Sequence, residues 1–225
     1  ELLGVNDAYV DPKISKFGLE NIVMSLGDTF LEVVCPIEAG TTAGRLLERR
    51  GGDGGYMVIV QVNDLAMEKS RLAQTTIRTV WGVDIGHAKA IHLHPRDVPG
   101  AIASLDQMEP AEAWYWAGDG WVDRKAKHAG CIMGAEIQSD DPADTANKWA
   151  LAYGANNHGV GTEPKIDFGS TEVRFVKQQD GRGNGLRAID VEATNIDLII
   201  TTAEKLGLPR DGTCIQVCGT AINFI

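Results

Sequence analysis

The sequence predicts an α+β protein assembled from repeated βαβββ modules, and three observations predict it. Short apolar strands open near Tyr56, Ile132 and Arg187, and each runs into a helix that starts on an Asn or Asp. Two or three further short strands follow each helix, punctuated by Gly, Asp, Asn and Pro. The start points recur at roughly 55–75 residues, the spacing of a repeated supersecondary unit. Two module pairs in one chain are therefore expected.

Residues 1–35 read as the rear half of an earlier module, with its opening strand expected upstream of Glu1. Glu1-Leu-Leu-Gly-Val resembles a last helical turn closed by Gly4. Strands are expected near Ala8–Val10, Asn21–Leu26 and Phe30–Val34. A connector over 40–55 carries a short helix, Ala43–Arg50, and Gly51-Gly-Asp-Gly-Gly55. No Gly-Lys-Ser/Thr follows these glycines, so they read as a hinge rather than a phosphate loop.

The second module opens with Tyr56–Val62, and Asn63 is expected to cap a helix over 64–74. Its strands follow at 79–83, 90–94 and 101–106, with Asp97-Val-Pro-Gly100 as hairpin chemistry. A Trp-rich linker, 109–128, leads to the third module. There Asp141 caps, Pro142 takes the first helical position, and Ala146, Trp149, Ala150 and Tyr153 form one buried helical face. Strands at 165–168 and 171–176 complete it. In the fourth, Ile189, Val191 and Ala193 share a strand face and Asn195 caps a helix. Its stripe is Ile199, Thr202, Ala203 and Leu206, ended by Gly207, and strands 214–218 and 220–224 close the chain. The resulting division is a first module pair over 1–108, the linker over 109–128, and a second pair over 129–225, with the active half expected in 1–108.

Composition narrows the function. At 225 residues, 44% hydrophobic and 23% charged, the chain has the make-up of an ordinary soluble globular protein. A net charge of −10 without a basic cluster argues against binding nucleic acid. Its apolar runs are too short to span a membrane. Cys35, Cys131, Cys214 and Cys218 form no Cys-x-x-Cys pair, and read as reduced core cysteines of a cytoplasmic protein.

The chemistry starts at Gly27-Asp-Thr-Phe-Leu-Glu-Val-Val-Cys-Pro36. A tight turn leads into a strand on which Phe30, Glu32 and Val34 share a face. A carboxylate among apolar strand residues is costly to bury unless it is paired, ligated or protonated, so Glu32 is the first candidate residue. His92 and His94 are two apart on a predicted strand and face one side. With Glu32 they make either a two-histidine, one-carboxylate metal set or an acid–base group; the alternative is that they sit at a rim and bond loop backbone. Ser104 and Asp106 share a face, as do Met57 and Gln61, the polar lining a small-molecule pocket needs. Arg96 is a candidate carboxylate clamp, the alternative near a hairpin being that it pairs with Asp97 or lays its stem on the surface.

Gly27–Val34, Tyr56–Asp64 and His92-Leu-His-Pro-Arg-Asp-Val-Pro-Gly-Ala-Ile102 together resemble the glyoxalase-like branch of the vicinal oxygen chelate superfamily. The resemblance covers nearly the whole chain and is strongest over 17–121. It implies paired βαβββ modules curled around a small-molecule site, and an isomerase, epimerase or lyase acting by proton transfer. It also implies one divalent metal (Zn, Fe, Mn, Ni or Mg), no nucleotide cofactor, a small-molecule substrate, and a homodimer. A metal-free binding or sequestration protein and a ring-cleaving dioxygenase are the rivals. Of the metal positions it implies, Glu32 matches, while Met57 and Ser104 stand where a histidine and a glutamate are usual. A thioether and a hydroxyl are poor ligands for a hard cation. The expected site is thus Glu32, His92 and His94 as catalytic or metal-binding groups, with Met57, Gln61, Ser104, Asp106 and Arg96 binding substrate. The second half, 129–225, is expected to be a chemically quiet scaffold.

Overall fold

Helix caps and tight turns set the order of elements in the computed structural model, which describes residues 1–159 and 163–225. A hairpin of β1 (Leu19–Leu26) and β2 (Thr29–Pro36) turns at Gly27, whose φ of 56° is the left-handed conformation that favours glycine. After α1 (Thr42–Arg50) come β3 (Met57–Gln61), α2 (Leu65–Leu72), β4 (Thr79–Asp84), β5 (Ala88–Leu93) and β6 (Ile102–Met108). The next group is β7 (Ala129–Ser139), α3 (Pro142–Tyr153), β8 (Asn157–His158), β9 (Lys165–Phe168) and β10 (Thr171–Lys177). The last is β11 (Gly185–Ala193), α4 (Ile196–Lys205), β12 (Arg210–Asp211), β13 (Cys214–Val217) and β14 (Thr220–Phe224). The fold class is the α+β arrangement of βαβββ modules that the sequence predicts.

Asp141 and Asn195 cap α3 and α4 as expected, accepting from Asp144 and Leu198 backbone N–H groups. The cap of α2 is Asp64, not Asn63, because the Asp64 carboxylate reaches the Met67 N–H at 2.9 Å; the helix also stops at Leu72. Glu1–Gly4 forms a single turn rather than a helix end, with Leu2 and Leu3 buried. Of the expected strand at 8–10, Tyr9 alone bridges β1, at Val23. Leu206 caps the end of α4 and is exposed, leaving Ile199 and Ala203 as the buried stripe. The cysteines are free but half-buried or exposed, so they are not core residues.

The chain packs as two compact units, each taking segments from both sides of the Trp-rich linker. One unit comprises 1–54, 116–134 and 188–225. Within it, β12-β13-β14-β11 form consecutive neighbours, and β11 runs parallel to β14. Leu26, Val191, Ile199, Ala203, Ile215 and Phe224 make its core. Here the sequence repeat explains the packing: Ile199 and Ala203 bring one face of α4 onto the inward face of β11.

The other unit comprises 55–115 and 135–187. It contains the four strands β3-β6-β5-β4, with β3 and β6 parallel, and the neighbours β7-β10-β9-β8. Strand alternation divides the first sheet sharply. Ile91, Leu93, Ala103 and Leu105 face α2 and join the core with Trp149 of α3. The opposite face carries Met57, Ile59 and Gln61 on β3, Ser104 and Asp106 on β6, His92 on β5 and Trp81 on β4, as the strand registers require.

Candidate functional site

In the first unit the β1–β2 register pairs Val23 with Glu32 and Asn21 with Val34. Asn21 is therefore the diagonal neighbour of Glu32 on the same face, within reach of long side chains. Asn21 Nδ2 donates to Glu32 Oε1 at 2.6 Å, and Asn21 Oδ1 accepts from the Asp11 backbone N–H at 3.0 Å. Glu32 is exposed, yet protein around it raises its carboxyl pKa from 4.5 by desolvation, opposed by the Asn21 hydrogen bond and assisted by Asp11. Exposure and desolvation point in different directions here. We read the carboxylate as open to solvent on one side and crowded on the other. Phe30, two residues away on the same face, meets the Trp121 ring edge-on at 5.0 Å between centroids.

In the second unit, Ser104 is fully buried and Asp106 is 3% exposed. Ser104 Oγ lies 2.5 Å from Asp106 Oδ1 and 3.2 Å from the Ile91 carbonyl. His92 stands directly opposite Ser104 and packs its ring on Trp81 at 4.3 Å. Burial pushes the His92 pKa down to about 4, so the imidazole is neutral at physiological pH. Behind the strands, the Tyr153 hydroxyl reaches the Ser104 carbonyl at 3.3 Å, and its pKa is raised by burial. Gln61 Nε2 donates to the Ala111 carbonyl at 3.0 Å, which ties β3 to the start of the linker. Met57 is half-buried opposite Ile102.

His94 and Arg96 lie beyond the end of β5, in a turn rather than on a strand. The Arg96 backbone N–H donates to His94 Nδ1 at 3.1 Å, and the Arg96 side chain is exposed. Asp97 is clamped by Arg78, through Nε at 2.8 Å and Nη2 at 2.7 Å. The expected metal set of Glu32, His92 and His94 therefore does not fit. His94 spends one ring nitrogen on its own turn, and His92 is packed against an indole. Among the described residues no group of three or more His, Cys, Asp and Glu side chains is placed to hold a metal ion.

Two features escaped the sequence. Asn21 lies in an apolar strand with no motif around it, and only the hairpin register, centred on Gly27-Asp28, brings it to Glu32. The second feature lies in the half expected to be quiet. In the second unit, Arg187 of β11 bonds Glu136 of β7, and Arg174 of β10 lies 3.7 Å from the same carboxylate. Arg174 also meets Glu172 at 3.4 Å, and Lys165 of β9 meets Glu172 at 2.7 Å. A ladder of alternating charge thus crosses one sheet face.

No protein-family model matches the sequence. The chain is 26% identical over 110 residues to the mitochondrial methylmalonyl-CoA epimerase of Mus musculus, covering 48% of this chain and 61% of that protein. It is 27% identical over 95 residues to an ethylmalonyl-CoA/methylmalonyl-CoA epimerase of Cereibacter sphaeroides, covering 40% of this chain and 71% of that one. Among solved structures, a hypothetical protein from Staphylococcus aureus superposes over 98% of this chain and 90% of its own, with TM-score 0.67 and 11% identity. A triple mutant of 4-hydroxymandelate synthase from Streptomyces coelicolor matches with TM-score 0.61 and 14% identity, over 89% of this chain and 67% of that one. A xylose isomerase-like TIM barrel/4-hydroxyphenylpyruvate dioxygenase fusion protein matches with TM-score 0.62 and 15% identity, over 92% and 36%. Its βαβββ modules and these similarities bear out the resemblance of the chain to the vicinal oxygen chelate superfamily, whose fold it has.

Proposed function

We propose that the protein is a glyoxalase-like enzyme of the epimerase or isomerase kind, moving a proton on a carbon beside a carbonyl of a small oxygenated substrate. The observation that carries this reading is the similarity to two epimerases of malonyl-type thioesters. Epimerisation of that kind needs a base that removes the α-proton and a route for its return to the other face of the enolate. Glu32 is the base in this reading. Its carboxyl pKa lies above the ordinary glutamate value through desolvation, the direction that makes a carboxylate a stronger base. No step is routed through a metal ion, because the donor set does not fit one.

The test is α-proton exchange. Methylmalonyl-CoA is incubated with the protein in D2O and its α-proton signal followed by NMR. The wild-type chain is expected to exchange it, and Glu32→Gln to slow exchange by about 100-fold or more. The acid limb of the wild-type pH profile is expected above 4.5 and absent from the variant. Equal exchange by the two proteins would remove Glu32 from the mechanism.

A second reading, a metal-free binding or sequestration protein, is favoured by one observation. Ser104 stands at a position where the superfamily resemblance implies a metal ligand, and its hydroxyl is committed to Asp106 and Ile91 instead. Tight binding of a small ligand without proton exchange would decide for it.

A further inference from the structure

We propose that Asn21 is the positioning residue for Glu32: it fixes the carboxylate in one conformation and leaves Oε2 as the oxygen that meets substrate. The inference rests on the reading of Glu32 as the base, and it goes beyond that reading by naming the group that aims it.

Asn21 is only 7% exposed, and both ends of its amide are engaged. Its oxygen accepts from the Asp11 N–H and its nitrogen donates to Glu32 Oε1. The two ends are not interchangeable. Rotating the amide by half a turn would set its NH2 against a backbone N–H and its oxygen against a carboxylate, two repulsive contacts in place of two hydrogen bonds. The orientation is therefore locked by its partners.

Asp11 is held in turn. Its side chain accepts from the Lys13 N–H at 2.9 Å and caps the short 3-10 helix Pro12–Phe17, so the N–H aimed at Asn21 belongs to an ordered turn. A chain of support runs from that turn through Asn21 to Glu32. Without it, an exposed glutamate samples several rotamers, and ordering one of them has an entropic cost at each encounter with substrate. Among the described residues Glu32 Oε2 accepts no hydrogen bond, so the tether holds one oxygen and frees the other.

The test reads the tether without any substrate. In the 15N-labelled full chain, the Asn21 side-chain amide proton facing Glu32 is expected well downfield, as a 2.6 Å bond to a charged acceptor requires. In Glu32→Gln that proton is expected to move upfield. Three-bond couplings of the Glu32 side chain should report one rotamer in the wild type and averaged rotamers in Asn21→Leu. In the exchange assay Asn21→Leu should lower kcat by about 10- to 100-fold with little change in KM.

An unshifted amide proton that ignores Glu32→Gln would overturn the proposal, and so would full kcat in Asn21→Leu. Should Asn21→Leu fail to fold, the amide comparison between wild type and Glu32→Gln still decides. If no thioester is exchanged by the wild type, the assignment of Glu32 as base fails, while the amide proton and the couplings separately accept or reject the tether.

Discussion

Two sheet faces of the 55–115/135–187 unit are built on the same module plan and filled in opposite ways. On β3-β6-β5, the face away from the core carries uncharged or small groups: Met57, Ile59, Ala90, Ser104 and the neutral His92, with Asp106 bonded to Ser104. On β9, β10, β7 and the start of β11, the outward groups are Lys165, Glu172, Arg174, Glu136 and Arg187, each engaged by a neighbour of opposite charge. The first arrangement carries little charge, and its buried Ser104 and Asp106 bond each other. The second satisfies itself. Long ion-paired side chains occupy a face with their own stems and heads, and a ligand would have to break charge pairs to enter. The same fold therefore fills one face with few charges and the other with paired ones.

Breaking the charged face should give the largest effect. Glu136 is 13% exposed at its side chain and is shared by two arginines. Glu136→Ala is expected to destabilise the protein by about 2 kcal/mol in urea unfolding, since it removes an anion shared by the half-buried guanidinium groups of Arg187 and Arg174. A change near zero would mean the ladder is only decorative.

On the first face, Ser104→Ala removes the hydroxyl beside Asp106 from a fully buried position. A loss of about 1–2 kcal/mol is expected, below that of Glu136→Ala; a larger loss than Glu136→Ala would reverse the contrast drawn between the faces. His92 gives a smaller effect with a defined sign. Its folded pKa of about 4 lies below the ordinary 6.5, so between those values the unfolded chain binds a proton that the folded chain does not. Stability is expected to fall as pH drops from 6.5 toward 4, and His92→Phe to flatten that slope in pH-dependent urea titrations.

The smallest effect belongs to the turn beyond β5. Arg78 holds the half-buried Asp97 carboxyl far below the usual range through hydrogen bonds from its side chain and backbone. Because the folded pKa is depressed, that contribution is present above the ordinary Asp value and lost as pH falls below it. Asp97→Asn should shift the melting temperature only slightly at neutral pH, because the Arg78 partner is exposed to solvent, and remove this part of the acid sensitivity.

Local chemistry made much of the fold legible. The caps Asp141 and Asn195, Pro142 at a helix start, and the strands 165–168 and 171–176 carry short-range signals, and they stand where expected. The α2 cap fell one residue away because Asn63 and Asp64 offer the same chemistry, and the choice depends on which side chain reaches Met67. Glu32 was legible as an anomaly in an apolar strand. Its partner was not, since Asn21 is eleven residues away and meets it only through the hairpin register. His92 and His94 look equivalent by spacing. The strand ends between them, placing one against Trp81 and the other in a turn.

By itself the sequence determined the module plan and the α+β class and marked Glu32 as a candidate, because alternation, capping and turn preference act within a few residues. Tertiary structure alone decided which polar groups meet. Asn21 reaches Glu32, Ser104 reaches Asp106, and Glu136 gathers Arg174 and Arg187 across strands distant in sequence. The physical reason is that strand pairing, not spacing along the chain, sets those distances, and it is pairing that turns a residue type into a partner.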